Sequence, residues 1–162
     1  MAIGIEQLRE AILTRHLITP VLDLDRQVSE GSVDVRLGHQ FLIFNRATGL
    51  TAINPRNRET LTRELQGHHQ RLLQISYGRE FYLHPGDFVI ARTFEYLNLP
   101  SNWLAYVVGR SSWGRLGIVI ATATFVNPGF KGTITLEIGN LGQVPVVLVP
   151  LMRIAQLVFH EI

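Results

Sequence analysis

Gly132-Thr133-Ile134-Thr135-Leu136-Glu137-Ile138 decides the fold class. Ile134, Leu136 and Ile138 alternate with Thr133, Thr135 and Glu137, which is the period of a strand with one face in a core. The opposite face then carries two threonines and a carboxylate. A glutamate on the polar face of a strand is most simply a solvated residue, since charged side chains mostly lie at the surface. Beside a bound substrate the same group can act as a general base.

Upstream lies Gly109-Arg110-Ser111-Ser112-Trp113-Gly114-Arg115, two arginines and two hydroxyls on a glycine-bounded turn. Backbone N–H groups, hydroxyl donors and guanidinium forks together suit a polyphosphate. The plain alternative is a polar surface loop. Asn127-Pro128-Gly129-Phe130 stands between the two stretches, and the Trp113 ring is assigned to packing.

Other short apolar runs flank these, at 80–83, 87–93, 103–108, 118–122, 132–139, 145–149 and 153–160, separated by turn residues. His84-Pro85-Gly86-Asp87 is one such turn, with proline presetting φ and glycine admitting positive φ. Many short strands with Gly/Pro turns indicate an all-β sandwich or barrel. Toward the N-terminus, Ile5, Leu8, Ala11 and Ile12 fall at helical spacing, so residues 4–16 are expected to form an amphipathic helix ending before Pro20. Val33, Val35 and Leu37 alternate with Asp34 and Arg36, which reads as a strand braced by an Asp–Arg pair. Residues 45–74 are polar and irregular and read as an exposed excursion. Adjacent His68 and His69 cannot face one way on a strand and lack nearby acidic or thiol partners, so no metal site is expected there.

The 162 residues match one ordinary domain, 1–162, and 46% hydrophobic residues supply a core. A formal charge of +2 from 15 basic and 13 acidic residues, without clusters, argues against nucleic-acid binding. There is no cysteine, which excludes disulfides and the H-x-E…P-C-x-x-C signature of zinc deaminases. No apolar run nears the roughly 18 residues of a membrane span, and no signal-peptide core is visible, so the expectation is a soluble cytoplasmic protein without membrane partners.

Several blocks carry a resemblance. GRSSWGRLG from Gly109, ATATFVNPGFKGTITLEIGN from Ala121 and PLMRIAQLVF from Pro150 resemble the dCTP deaminases of the trimeric dUTPase superfamily. Their pattern is GRSSxxRxG, a TA segment leading to Asp-Pro-Gly, a strand ending in Leu-Glu, and a PGMxIxQL-type close. Further matches lie at Ser32–Gly38 and Phe81–Gly86. The resemblance implies a mainly β, dUTPase-like distorted jelly-roll or β-barrel with a short N-terminal helix. It implies a homotrimer with sites between subunits, acting on a pyrimidine deoxynucleoside triphosphate with Mg2+ bound mainly through the nucleotide, and no zinc. Glu137, Arg115 and Ser111 take catalytic roles by resemblance. Arg110 and Ser112 hold phosphates, Asn127 the sugar, Phe130 packs beneath it, and Gln156 contacts the nucleotide. The backbone of Ala123, Thr135 and Leu136 reads the base edge. For Phe130 and Gln156, core packing and sheet pairing stand as equal readings.

Thr122-Ala123 followed by Thr124-Phe125, and the Ile154-Ala155-Gln156-Leu157 close, are more similar to the bifunctional, dUMP-forming branch than to the branch that only deaminates. Two departures stand out. Asn127 replaces the family's aspartate, keeping an acceptor but losing the charge. The sequence ends at His160-Glu161-Ile162, where family members continue into a tail that closes over the triphosphate, so weaker phosphate grip is expected. A dUTP diphosphatase-like enzyme and a non-catalytic nucleotide-binding homologue without that lid are the alternative functions.

Overall fold

The computed structural model describes residues 1–44, 56–59 and 70–162. Helix α1 spans Ile5–Arg15 and buries Leu8, Ala11 and Ile12. His16 then takes a left-handed conformation (φ 51°) and returns its N–H to the carbonyl of Ala11, closing the last turn. Strand β1 is Ile18–Thr19, helix α2 Leu24–Gln27, β2 Val28–Ser29 and β3 Ser32–Phe44. There follow β4 Gln70–Gln74, β5 Phe81–Leu83, β6 Phe88–Asn98 and β7 Trp103–Gly109. The one-turn helix α3 is Ser111–Gly114, and the last strands are β8 Ile118–Ile120, β9 Phe125–Val126, β10 Lys131–Asn140, β11 Val146–Leu148 and β12 Arg153–Glu161.

Among the described residues ten strands form one antiparallel sheet, along the path β8-β10-β6-β3-β12-β7-β9, with β1 added to β6 and β2 and β4 added to β3. Strands β5 and β11 form a separate pair. The sheet curls because β3 serves both of its halves. Residues 32–36 of β3 pair with β12, whereas 37–44 pair with β6 and β4, with a register shift between Leu37 and Phe41. Gly38 sits at that shift, where a Cβ would come within 2.8 Å of the Arg92 carbonyl oxygen, so only glycine lets the two backbones cross there.

The mainly β expectation is borne out, with the apolar sets of the strands meeting inside. Ile134, Leu136 and Ile138 are buried, as the alternation required, and Leu37, Phe41, Ala105, Leu157 and Phe159 join them. Each fully buried side chain of this kind contributes about 1.5–3 kcal/mol through loss of wetted apolar area.

Two expectations change. Residues 70–74 are not part of an excursion. They form β4, paired with β3 from Gln40↔Gln74 to Phe44↔Gln70. The remaining excursion residues, His68 and His69 among them, lie outside the described residues, except for 56–59. Asp34 and Arg36 are both buried but do not pair with each other: Asp34 binds Arg110 and Arg153, and Arg36 binds Glu95. The turn expected after Gly109 is present, as a single helical turn.

Candidate active site

β8 pairs with β10 only through Ile118–Ile120, after which the chain peels away. It stays fastened to β10 by two bonds. Ala121 N–H donates to the Glu137 carbonyl at 2.8 Å, and Glu137 N–H donates to the Thr122 hydroxyl at 2.9 Å. Both main-chain groups of Glu137 are therefore held, and its half-buried side chain leaves the strand on the face of Thr133 and Thr135.

The chain next runs through β9 and reverses at Asn127-Pro128-Gly129-Phe130. Gly129 has φ +76°, and Phe130 N–H donates to the Asn127 carbonyl at 3.1 Å. Proline followed by a positive φ is the type II turn, and only glycine enters it freely. Phe130 is itself anchored, its carbonyl accepting Leu99 N–H at 2.8 Å, and its ring packs on the core.

Between the peeled segment, the turn and β10 lies an open cavity of about 270 Å³, lined by Thr122, Ala123, Asn127, Phe130, Thr133 and Thr135, among others. Four of the sequence-predicted binding residues thus share one cavity. Three threonines and one asparagine share this lining with Phe125, Phe130 and aliphatic side chains, a mixture suited to a small polar ring system. Leu136 sends its side chain into the core, so only its main chain is left for a ligand.

The second group is built on α3. Trp113 and Gly114 N–H groups donate to the Arg110 carbonyl at 3.0 and 3.3 Å, and Arg115 N–H donates to Ser111 at 3.1 Å. Trp113 Nε1 donates to the Arg153 carbonyl at 2.9 Å, which ties the turn to β12 and confirms its packing role. Ser111, Ser112 and Arg115 are exposed. The Arg110 guanidinium binds the buried carboxylate of Asp34, and Gln156 lies opposite Asp34 in the β3–β12 register. The structure therefore brings Arg110 and Gln156 together around Asp34.

The two groups stay apart. The lining of the cavity holds none of Arg110, Ser111, Ser112, Arg115, Glu137 or Gln156; Glu137 is joined to it through Thr122, whose hydroxyl accepts the Glu137 N–H. Among the described residues no hydrogen bond or ion pair joins the α3 group to Glu137. Nor do three His, Asp or Glu side chains converge as a metal site among those residues.

Sequence reasoning missed Thr122 as the hydroxyl that holds Glu137, and missed Asp34 and Arg153 as partners of Arg110. The visible signal for Asp34 was a charge among valines. Its partner could not be read from neighbours, because Arg110 is 76 positions away.

A second buried carboxylate lies nearby in β6. Glu95 accepts from Arg36 N–H at 2.7 Å, from the Arg36 guanidinium at 3.3 Å and from Gln27 Nε2 at 3.1 Å. Burial pushes its pKa above the ordinary value, and the bonds from Arg36 only partly offset this.

A family model described as dCTP deaminase-like matches residues 4–162. The chain is 48% identical over 147 residues to a "dCTP deaminase" of Halorubrum lacusprofundi, covering 90% of this chain and 70% of that protein. It is 51% identical over 146 residues to a "dCTP deaminase, dUMP-forming" of Halobacterium salinarum, covering 90% and 72%. In structure it is similar to a crystal structure of 2′-deoxycytidine 5′-triphosphate deaminase from Agrobacterium tumefaciens, with a TM-score of 0.74 and 26% identity. That match covers 98% of this chain and 48% of the other, so the chain spans about half the length of that solved structure. Blocks, topology and relatives agree: the chain belongs to the dCTP deaminase-like family.

Proposed function

We propose that this chain deaminates dCTP to dUTP, with Glu137 as the general base. The observation that carries the reading is Glu137 itself, clamped through both main-chain groups, its N–H by the hydroxyl of Thr122, which lines the cavity of about 270 Å³. The cytosine sits among Thr122, Thr133 and Thr135, with the main chain of Ala123, Thr135 and Leu136 reading its edge. Asn127 accepts from a sugar hydroxyl, and Phe130 packs beneath the sugar. A water placed at C4 gives a proton to Glu137 as its oxygen bonds to carbon. Glu137 passes that proton to ring nitrogen N3; the C4 hydroxyl then gives its own proton through Glu137 to the amino group, the C4 carbonyl forms as the C4–N bond breaks, and ammonia leaves. Fixed positioning and a proton acceptor are the two requirements of this step.

Ser111 and Arg115 orient the water and steady the charge that develops on the ring. Arg110, Ser112 and Gln156 grip the nucleotide, whose triphosphate brings Mg2+ as part of the substrate. These residues lie outside the cavity of their own chain, so the complete site forms between copies of a homotrimer, each neighbour adding its α3 group. Such an enzyme of nucleotide metabolism would work in the cytoplasm.

A second reading carries the product on to dUMP and pyrophosphate. The relative that is 51% identical and named as dUMP-forming favours it. One assay separates the possibilities. Purified protein is incubated with dCTP, CTP or dUTP and Mg2+, and ammonia, dUTP and dUMP are resolved. The expected result is ammonia from dCTP, lost by at least about 10²-fold in Glu137→Gln while the nucleotide still binds. dUMP appearing with the ammonia supports the second reading. Hydrolysis of dUTP without ammonia from dCTP would instead make the chain a diphosphatase, and near-normal turnover in Glu137→Gln would remove the base assignment.

A further inference from the structure

We infer that Arg153 is a second phosphate-gripping cation and that Asp34 is the positioning residue that holds it and Arg110 together; the inference rests on the nucleotide reading above. Asp34 and Glu95 are both nearly fully buried, but they are built differently. Glu95 uses both oxygens, one on Arg36 N–H and the other on Gln27 and the Arg36 guanidinium. That is a saturated brace. Asp34 places both guanidinium groups on Oδ2, with Arg153 Nη1 at 3.1 Å, and leaves Oδ1 buried without a partner. A dry acceptor left unpaired is costly, and native structures keep one where something other than stability requires it.

The two arginines are also not buried partners. The Arg110 side chain is 24% exposed and that of Arg153 43%, against 5% for Asp34. One negative charge therefore holds two positive ones at the surface and leaves an excess of +1 there. Arg153 spends Nη1 on Asp34 and on the Arg26 carbonyl, at 3.1 Å each. Guanidinium carries five N–H donors in a fixed fork, so several remain for a ligand. The position is stiffened again where the Arg153 carbonyl accepts Trp113 Nε1. Hence α3, with Ser111 and Ser112, and the first residue of β12 form one unit. Fixed forks beside hydroxyls match phosphate oxygens better than a mobile surface lysine would.

The test compares ligands that differ only in phosphate. Binding of dCTP and of deoxycytidine is measured by calorimetry, the weaker ligand by displacement, for wild type, Arg153→Gln and Asp34→Asn. The expected result for Arg153→Gln is a loss of about tenfold or more for dCTP with deoxycytidine unchanged, the scale of one charge-assisted bond. Asp34→Asn is expected to lose dCTP affinity in the same phosphate-dependent way. Equal dCTP affinity in Arg153→Gln and wild type overturns the inference while leaving the nucleotide reading in place. A loss common to both ligands in Asp34→Asn shows a purely structural carboxylate and overturns its positioning role. If Asp34→Asn does not fold, the surface-exposed Arg153→Gln still decides. A wild-type protein that binds no dCTP overturns the nucleotide reading and this inference with it.

Discussion

Glu95 lies in the sheet with its carboxylate on the main chain and the guanidinium of Arg36, and its burial leaves a pH signature. Its pKa is raised in the folded chain from the ordinary 4.5, mainly by desolvation. Above pH 4.5 the unfolded chain releases this proton first, so folding stability falls as pH rises until the folded group has also ionised. The contribution is complete below 4.5 and is lost upward through the raised value. Glu95→Gln cannot titrate. The stability advantage of wild type over this variant is therefore expected to shrink as pH rises above 4.5, as read from urea unfolding at a series of pH values. A constant gap would contradict it. At this scale the sequence was only half legible. Alternation placed Asp34 and Arg36 on one face of a strand, correctly. Their partners are Arg153 and Glu95 on other strands and Arg110 at the end of β7, which only the folded sheet brings near.

The elements were more readable, because periods and turn residues are local. β10 could be seen in Ile134, Leu136 and Ile138, and two turns in Pro85-Gly86 and Pro128-Gly129. β4 could not, since Gln70-Arg71-Leu72-Leu73-Gln74 puts its two leucines side by side. The two-residue strands β1, β2 and β9 are too short to show a period. A third turn of the same kind appears in the structure, Val149-Pro150-Leu151-Met152. Met152 N–H donates to the Val149 carbonyl at 3.2 Å, and Leu151 has φ +74°. The equivalent positions in the other two turns are Gly86 at +80° and Gly129 at +76°. A leucine there bears the steric cost of left-handed backbone, about 1–2 kcal/mol. Leu151→Gly is expected to change stability by less than about 1 kcal/mol, because the relieved strain is offset by the added chain entropy and the lost contacts of a half-buried leucine. Gly129→Ala is expected to destabilise it by about the same cost and to raise the KM for nucleotide, because Asn127 and Phe130 move with the turn. Denaturation midpoints check both, and a Leu151→Gly destabilised by clearly more than about 1 kcal/mol would mean that leucine packing outweighs strain.

At the scale of the whole molecule the proposed site comes as two halves, a cavity reached from Glu137 through Thr122 and a cationic turn on α3. The face that carries the turn is also apolar. Tyr106, Val108 and Phe125 are exposed on β7 and β9, and the Tyr106 ring packs edge-on against both Phe125 and His160. In the closed trimer proposed above such a face would be covered, and each cavity would meet the α3 turn of the next copy. The most direct measurement of this account mixes two defects. Glu137→Gln disables the cavity half and Arg115→Ala the turn half, so each variant alone is expected to be nearly inactive in releasing ammonia from dCTP. When the two are co-expressed equally, every hybrid trimer has one intact site, and ammonia release is expected to recover to about a quarter of the wild-type rate. A mixture no more active than either variant alone would contradict a site shared between subunits.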